Sequence, residues 1–127
     1  MIAYTTLGTN NLEKSKAFYD ALFCEIGIGE LWASETFVGY GPSMDKPMFG
    51  ICKPYDGEAA SAGNGTMIAL ACPNKETVHK LYDKAIELGA KDEGAAGPRG
   101  DTGFYCGYFR DPDGNKINAF AMVAPES

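Results

Sequence analysis

The stretch Gly107-Tyr-Phe-Arg-Asp-Pro-Asp-Gly-Asn-Lys-Ile-Asn118 decides how the rest of the chain is interpreted. Apolar runs lie on both sides of Asp111-Pro-Asp-Gly114, where proline pre-sets the first turn dihedral and glycine supplies a positive φ. The stretch therefore predicts a β-hairpin. Because side chains alternate along a strand, Asn118 shares one face of the second arm with Phe120 and Met122. A polar side chain is thus held among apolar neighbours.

Length and charge are typical of a single globular domain. The chain has 127 residues, of which 45% are hydrophobic and 22% charged, and its formal net charge is −6. The chain is acidic and has no dense basic cluster, so we expect neither nucleic acid nor a membrane as its partner. No apolar run is long enough to span a bilayer. The four cysteines form no CxxC pair and the N-terminal residues lack a signal-peptide pattern. We therefore expect reduced thiols and a cytoplasmic protein.

Capping residues and hydrophobic spacing predict two helices. Asn11 caps the first, over Leu12 to Phe23, and Asn74 caps the second, which Gly89 closes. Runs of strand-forming residues predict the strands, the glycine-rich run 94–103 predicts a mobile loop, and the last residues predict a tail. The strands are expected at Ile2–Gly8, Leu31–Gly39, Met48–Cys52, Thr66–Cys72, Phe104–Phe109 and Lys116–Met122, and the tail at Pro125–Ser127.

The two halves of the chain match each other. Asn11 to Asp20 lies over Asn74 to Asp83, with Asn, Glu, Tyr and Asp in common, and the order of elements also agrees. Gly39-Tyr40 lies over Gly107-Tyr108, and at that second spacing Gly50 lies over Asn118.

This repeat predicts an α+β fold of two modules. They cover about residues 1–54 and 66–124, joined by a linker at about 55–65. Two such units must bury sheet faces on each other, which predicts a cup between them.

These features resemble the vicinal oxygen chelate superfamily, which contains glyoxalase I, bleomycin-resistance proteins, fosfomycin-resistance enzymes and extradiol dioxygenases. The resemblance lies in Asn11 to Tyr19, Thr66 to Leu70 and Phe109 to Ile117, and covers nearly the whole chain. It implies a single domain, residues 1–127, in which two βαβββ modules form a curled mixed sheet with a central cup. Family members commonly form homodimers, so the resemblance implies a homodimer here.

Metal-dependent members of the superfamily hold a divalent ion with four side chains, typically His or Gln, Glu, His and Glu. The resemblance places these positions on Thr5, Gly50, Met67 and Asn118. This set has no carboxylate and combines a soft thioether with a hard amide oxygen. We therefore expect no metal and no cofactor, which argues against the superfamily's metal-dependent isomerisation and ring cleavage. Shifting the second position by two residues would offer Cys52, so an atypical metal site remains an alternative.

No set of residues predicts catalysis without a metal. The single histidine, His79, lies off the apolar stripe of its helix and is expected at the surface, and the cysteines in strands are expected to be buried structural thiols. Catalytic residues are therefore unknown, and whether the chain is an enzyme stays open.

A cup with apolar walls and a few polar groups is instead expected to bind a small molecule. The predicted ligand-binding residues are Thr5, Trp32, Tyr40, Gly50, Met67, Arg99, Phe104, Tyr108 and Asn118.

Three functions follow as hypotheses. The favoured one is a metal-free dimer that binds a small, partly aromatic molecule, in sequestration or resistance, as bleomycin-resistance-like members do. The second is a lyase, isomerase or dioxygenase of the superfamily with an atypical metal site. The third is a non-catalytic dimeric interaction protein whose cup is filled.

Overall fold

The computed structural model describes residues 1–124 and contains two helices and eight strands. The predicted tail at Pro125–Ser127 lies outside the described residues. The elements, in chain order, are β1 (Tyr4–Gly8), α1 (Leu12–Cys24), β2 (Gly29–Ala33), β3 (Phe37–Gly41), β4 (Met48–Cys52), β5 (Met67–Ala71), α2 (Lys75–Glu87), β6 (Lys91–Pro98), β7 (Phe104–Arg110) and β8 (Lys116–Met122).

The strands form two four-stranded mixed sheets of identical topology. The first has the order β1-β4-β3-β2 and the second β5-β8-β7-β6. In each sheet the first strand pairs in parallel with the last, and the other pairs are antiparallel. The predicted α+β fold of two βαβββ modules is thereby confirmed.

The prediction of a mobile loop over residues 94–103 is wrong for its first half, because Gly94 to Pro98 belong to β6. Gly94 pairs with Tyr108 and Gly97 with Cys106, with register shifts between them. The hydrogen bonds between paired strands are made by backbone groups alone. A strand can therefore form from glycine and alanine, whose side chains do not favour strands.

The single strand predicted at Leu31–Gly39 is in fact the end of β2 and the start of β3. A tight turn at residues 34–36 separates them, in which the Thr36 amide donates to the Ser34 hydroxyl at 3.2 Å and the Ser34 amide to the Phe37 carbonyl at 2.8 Å. Serine and threonine form this turn through side-chain hydrogen bonds. No glycine or proline marks it in the sequence.

Both helices begin where the capping asparagines predicted. The Asn11 side chain accepts from the Lys14 amide at 3.0 Å, and the Asn74 side chain accepts from the Thr77 amide at 2.9 Å. α1 packs on the first sheet and α2 on the second, and the two helices contact each other. The face of each sheet that carries its helix is called its helix face, and the opposite face its open face.

The Asp-Pro-Asp-Gly turn fastens the two modules together. The buried Asp111 carboxylate accepts from the Tyr19 hydroxyl of α1 at 2.7 Å and from Asn115 Nδ2 at 3.0 Å. Asn115 Nδ2 also donates to the Gly8 carbonyl at 3.0 Å, and Asp113 accepts from the Asn10 amide at 2.8 Å. One hairpin turn of the second module therefore holds the β1–α1 connection of the first.

The open faces of the two sheets do not meet within the chain. Among residues 1–124, no strand of one sheet pairs with a strand of the other, and the Trp32 and Phe104 side chains of the two open faces are 53% and 48% exposed. The buried core is instead built from the helices and both helix faces. The two open faces therefore do not pack on each other within one chain.

Candidate functional site

Strand register defines two equivalent rows on the open faces. In the first sheet Thr6, Gly50, Gly39 and Trp32 lie opposite one another in adjacent strands. The corresponding row of the second sheet is Ala69, Asn118, Tyr108 and Gly94. The structure thus brings Gly50 and Asn118 to equivalent positions, as the repeat predicted.

The predicted match of Tyr40 with Tyr108 is wrong by one residue. Tyr40 pairs with the core residue Phe49 and is only 1% exposed, on the helix face. Tyr108 lies on the open face beside Asn118. A shift of one residue changes the face of a strand side chain, so equal letters in the two halves are not equivalent positions here.

An aromatic cluster covers the open face of the first sheet. A Cβ atom at Gly50 would lie 2.5 Å from the Phe37 ring, and one at Gly39 would lie 2.5 Å from Met48 Sδ and 3.0 Å from the same ring. The Trp32 ring centroid is 5.1 Å from that of Phe37, and Trp32 is 53% exposed. Glycine is required at these two positions so that Phe37 and Met48 can lie on the backbone.

The open face of the second sheet carries a tyrosine between two cations. Arg99 Cζ and Lys116 Nζ each lie 5.1 Å from the Tyr108 ring centroid, a distance at which cation–π attraction operates. The neighbouring Cys106 thiol is the main cause that raises the pKa of Tyr108; burial adds to it, and Arg99 opposes it. Tyr108 is therefore neutral at physiological pH.

Asn118 is the buried polar residue of this face. It is 4% exposed, and its Oδ1 is buried without a hydrogen-bond partner in the described part of the chain. Buried amide groups in native proteins are normally paired, so an unpaired one marks a place where a further polar group fits. Phe104, 48% exposed, lies on the same face, and its ring meets that of Phe120 edge-on at 5.2 Å.

Thr5 and Tyr40 lie apart from the other predicted site residues. Thr5 pairs with Phe49 and is therefore on the helix face. Both line a groove of about 580 Å³ between the first module and the free edge of β5, which Met67 also lines. The open-face residues of β1 are instead Tyr4 and Thr6.

The predicted site residues thus fall into three groups. Met67, Arg99, Phe104, Tyr108 and Asn118 belong to the second sheet or its open face. Trp32 and Gly50 belong to the first, and Thr5 and Tyr40 to the groove.

Sequence reasoning missed Phe37 and Lys116 as site residues. The signal for both was available: Phe37 is two residues before Gly39, and Lys116 is two residues before Asn118, so each shares the face of its neighbour.

The residues at the expected metal positions do not fit a divalent ion. Within residues 1–124 no three His, Cys, Asp or Glu side chains are placed to hold a metal. The Phe37 ring occupies the space where a ligand side chain at position 50 would have to start. His79 is half-buried on α2, and its Nε2 lies 2.6 Å from the Tyr105 hydroxyl, on the helix side of the second sheet rather than on an open face.

The fold is that of a known superfamily. A family model described as the Glyoxalase/Bleomycin resistance protein/Dioxygenase superfamily matches residues 1–119. The chain belongs to this family.

Solved structures agree with this membership. A glyoxalase/bleomycin resistance protein from Albidiferax ferrireducens is 35% identical with a TM-score of 0.86, and the match covers 98% of this chain and 99% of that one. A glyoxalase/bleomycin resistance protein/dioxygenase family enzyme from Burkholderia phytofirmans is 22% identical with a TM-score of 0.76, covering 95% and 98%. A lactoylglutathione lyase from Agrobacterium tumefaciens is 21% identical with a TM-score of 0.70, covering 95% and 92%.

The last two likenesses show the fold alone. A search of curated proteins finds no match to the chain. In the part of the chain that the structure describes, the helices are too short and too polar to cross a membrane.

Proposed function

We propose that this family member binds a small, partly aromatic molecule in a metal-free cup. The observation that carries the proposal is the position of Phe37, whose ring lies against the bare backbone of Gly50. This packing replaces a metal-ligand position by an aromatic wall. Trp32, whose exposed ring is tilted at 45° to that of Phe37, extends that wall toward a ligand.

A homodimer completes the cup in this proposal. The open face of the first sheet supplies apolar and aromatic surface, and that of the second supplies Asn118 and Tyr108. Since the large side chains of both faces stay exposed within one chain, the first face of one copy would meet the second face of another. Exposed apolar side chains on both faces support such a contact, because soluble proteins rarely leave large apolar patches uncovered. They include Tyr4, Trp32, Met67, Phe104 and Met122.

We further propose a cytoplasmic location. Cys24, Cys52, Cys72 and Cys106 are all free thiols in the structure, which supports a reducing compartment.

The proposal is tested first by metal content and ligand binding of the same preparation. Untagged protein is incubated with Ni, Zn, Mn and Fe(II), passed through gel filtration and analysed by elemental analysis. We expect less than about a tenth of an equivalent of each ion per chain, because the donor set is wrong for all four. A library of small aromatic compounds is then screened by thermal shift, in which a ligand of the folded state raises Tm.

Two matched variants locate the binding site. Trp32→Ala should abolish the thermal shifts, whereas Tyr55→Ala, which removes a fully exposed tyrosine from the linker, should keep them. Sedimentation equilibrium should show a dimer. Near-stoichiometric metal, shifts that survive Trp32→Ala, or a monomer at every concentration would each contradict the corresponding part of the proposal.

A further inference from the structure

We infer that the molecule bound in the cup is a planar aromatic anion, of the carboxylate class, held at Tyr108 on the second sheet; this inference rests on the function proposed above. The juxtaposition that carries it is two cations beside one aromatic ring, next to a buried amide oxygen that can accept from a substituent of the ligand ring. Arg99 and Lys116 lie equally close to the Tyr108 ring, and Asn118 is opposite Tyr108 in the adjacent strand.

Positive charge is concentrated on this face although the chain is acidic. Both arginines and two of the nine lysines lie here, in a protein with a net charge of −6. Lys91, Arg110 and Lys116 lie opposite one another in adjacent strands, one row away from Tyr108. The only carboxylate that pairs with this row among the described residues is that of Glu93.

The two cations nearest Tyr108 have no carboxylate partner. Glu93 forms an ion pair with Arg110, whose Nε donates a hydrogen bond to the Glu93 carboxylate at 3.0 Å. This hydrogen bond is the main cause that lowers the pKa of Glu93. Within residues 1–124 neither Arg99 nor Lys116 has a carboxylate oxygen within 4.0 Å. Their charge is therefore available to a ligand.

Backbone contacts fix the position of Arg99. Its guanidinium donates to the carbonyls of Ala95 at 2.8 Å and Gly97 at 3.0 Å, so it is held over the tyrosine rather than left free in a turn. A guanidinium donates up to five hydrogen bonds, so donors remain for a carboxylate. The carbonyl contacts neutralise none of its charge.

The uncharged side chains of the face fit the rest of such a ligand. Tyr108 and the exposed Phe104 offer aromatic surface for stacking. The Asn118 Oδ1, which is buried without a partner among the described residues, accepts hydrogen bonds and can pair with a hydroxyl or amino substituent of the ring. A cationic ligand would meet two uncompensated like charges and is disfavoured.

The test compares three aromatic probes of similar size and different charge: benzoate, benzamide and benzylammonium. Amide chemical shifts of the full chain are followed by NMR titration, with attention to Tyr108 and Asn118. Benzoate should bind about tenfold more tightly than benzamide, the ratio expected for one added charge-assisted hydrogen bond. Benzylammonium should not shift these signals, and added salt should weaken benzoate binding.

Lys116→Gln, with Lys80→Gln as its control, separates a local effect from net charge. Lys80 is exposed on α2 away from this face, so both variants change the net charge equally. Lys116→Gln should remove the preference for benzoate, and Lys80→Gln should leave it unchanged. Arg99→Gln should likewise remove the preference for benzoate over benzamide.

The outcomes distinguish this inference from the proposed function. Equal binding of benzoate and benzamide at Tyr108 and Asn118 would overturn the anion inference and leave the proposed function standing. Absence of shifts with all three probes would overturn the anion inference, whereas the proposed function is overturned only if the library screen also finds no ligand. Equal losses in Lys116→Gln and Lys80→Gln would show that only the net charge matters, and would overturn the assignment to this site.

Discussion

Removing the hydroxyl of Tyr19 tests whether the Asp-Pro-Asp-Gly turn fastens the two modules together. Tyr19 and Tyr82 are repeat-related tyrosines, and each donates a hydrogen bond of 2.7 Å to a carboxylate, of Asp111 and Asp92 respectively. They differ in burial, because Tyr19 is 0% and Asp111 5% exposed, whereas Asp92 lies at the surface. Tyr19→Phe and Tyr82→Phe therefore remove the same bond from two environments.

The expected loss in free energy of unfolding depends on the hydrogen bonds that the carboxylate keeps after each substitution. A buried hydrogen bond to a charged group contributes about 1.5–3 kcal/mol, and loss of one partner leaves the other partly unsatisfied. Asp111 keeps its bonds from Asn115 Nδ2 and from the Asp113 and Asn115 amides, so the loss falls near the middle of that range. We expect Tyr19→Phe to lower the free energy of unfolding by about 2 kcal/mol, and Tyr82→Phe by about 0.5 kcal/mol or less.

The assay is urea unfolding followed by circular dichroism, at one fixed protomer concentration, since dimerisation would otherwise enter the result. The pH dependence adds a second readout. Burial, followed by the Asp111 charge, raises the pKa of Tyr19 well above its ordinary value of 10.0, so above pH 10 the unfolded state binds fewer protons than the native state. Stability from this group is present below pH 10 and decreases as pH rises further.

The difference in free energy of unfolding between wild type and Tyr19→Phe should therefore become smaller above pH 10. Burial and the Asp92 hydrogen bond raise the pKa of Tyr82 to about 12, so the Tyr82→Phe comparison should show a weaker form of the same trend. Equal costs for the two substitutions at neutral pH would refute the reasoning from burial. If the difference in free energy of unfolding between wild type and Tyr19→Phe stayed constant above pH 10, the reasoning from the pKa of Tyr19 would be refuted.

Two further substitutions test local packing. Gly50→Ala should destabilise the chain by about 1–3 kcal/mol, because the new Cβ would overlap the Phe37 ring; Gly29→Ala, where a Cβ would meet nothing within 4 Å, should change stability by less than about 0.5 kcal/mol. An equal effect of the two alanines in chemical denaturation would contradict this. Asn74→Ala should cost about 1 kcal/mol by removing the cap of α2 and should speed hydrogen exchange at the Thr77 amide, which the cap now protects; unchanged exchange there would contradict the capping role.

The sequence predicted the fold well because its signals were local. Capping asparagines, the helical spacing of apolar residues and the Asp-Pro-Asp-Gly turn each act over a few residues, and each is observed. The strand β6 was missed because its ladder is made by the backbones of Gly94 and Gly97, opposite Tyr108 and Cys106. The pairing with β7, rather than the side chains of β6 itself, decides that it is a strand.

The candidate site was harder to predict because it depends on register. Thr5 was expected in the cup, yet its pairing with Phe49 places it on the helix face, one residue from Thr6 on the open face. Alternation alone gives two possible faces, and only pairing with a neighbouring strand selects one. The covering of Gly50 by Phe37 is likewise a contact between strands, which spacing along the chain does not reveal.

The equivalent rows of the two sheets have diverged in opposite directions. In the first, Gly39 and Gly50 present bare backbone that Phe37 and Met48 cover. In the second, the same positions are Tyr108 and Asn118, a large ring and a polar amide. If each face bound the same ligand independently, neither would be complete, because the first row has no amide or charged side chain and the second no continuous aromatic wall.

The two faces are complementary if one ligand contacts both. An aromatic wall can hold the ring of an anionic ligand while the cations beside Tyr108 hold its charge. Because the large side chains of both open faces stay exposed within one chain, the proposed dimer is the arrangement that lets one ligand reach both. Disrupting the dimer should therefore abolish ligand binding even when every residue of the site is intact, and a monomeric variant that still binds benzoate with wild-type affinity would show that the second sheet acts alone.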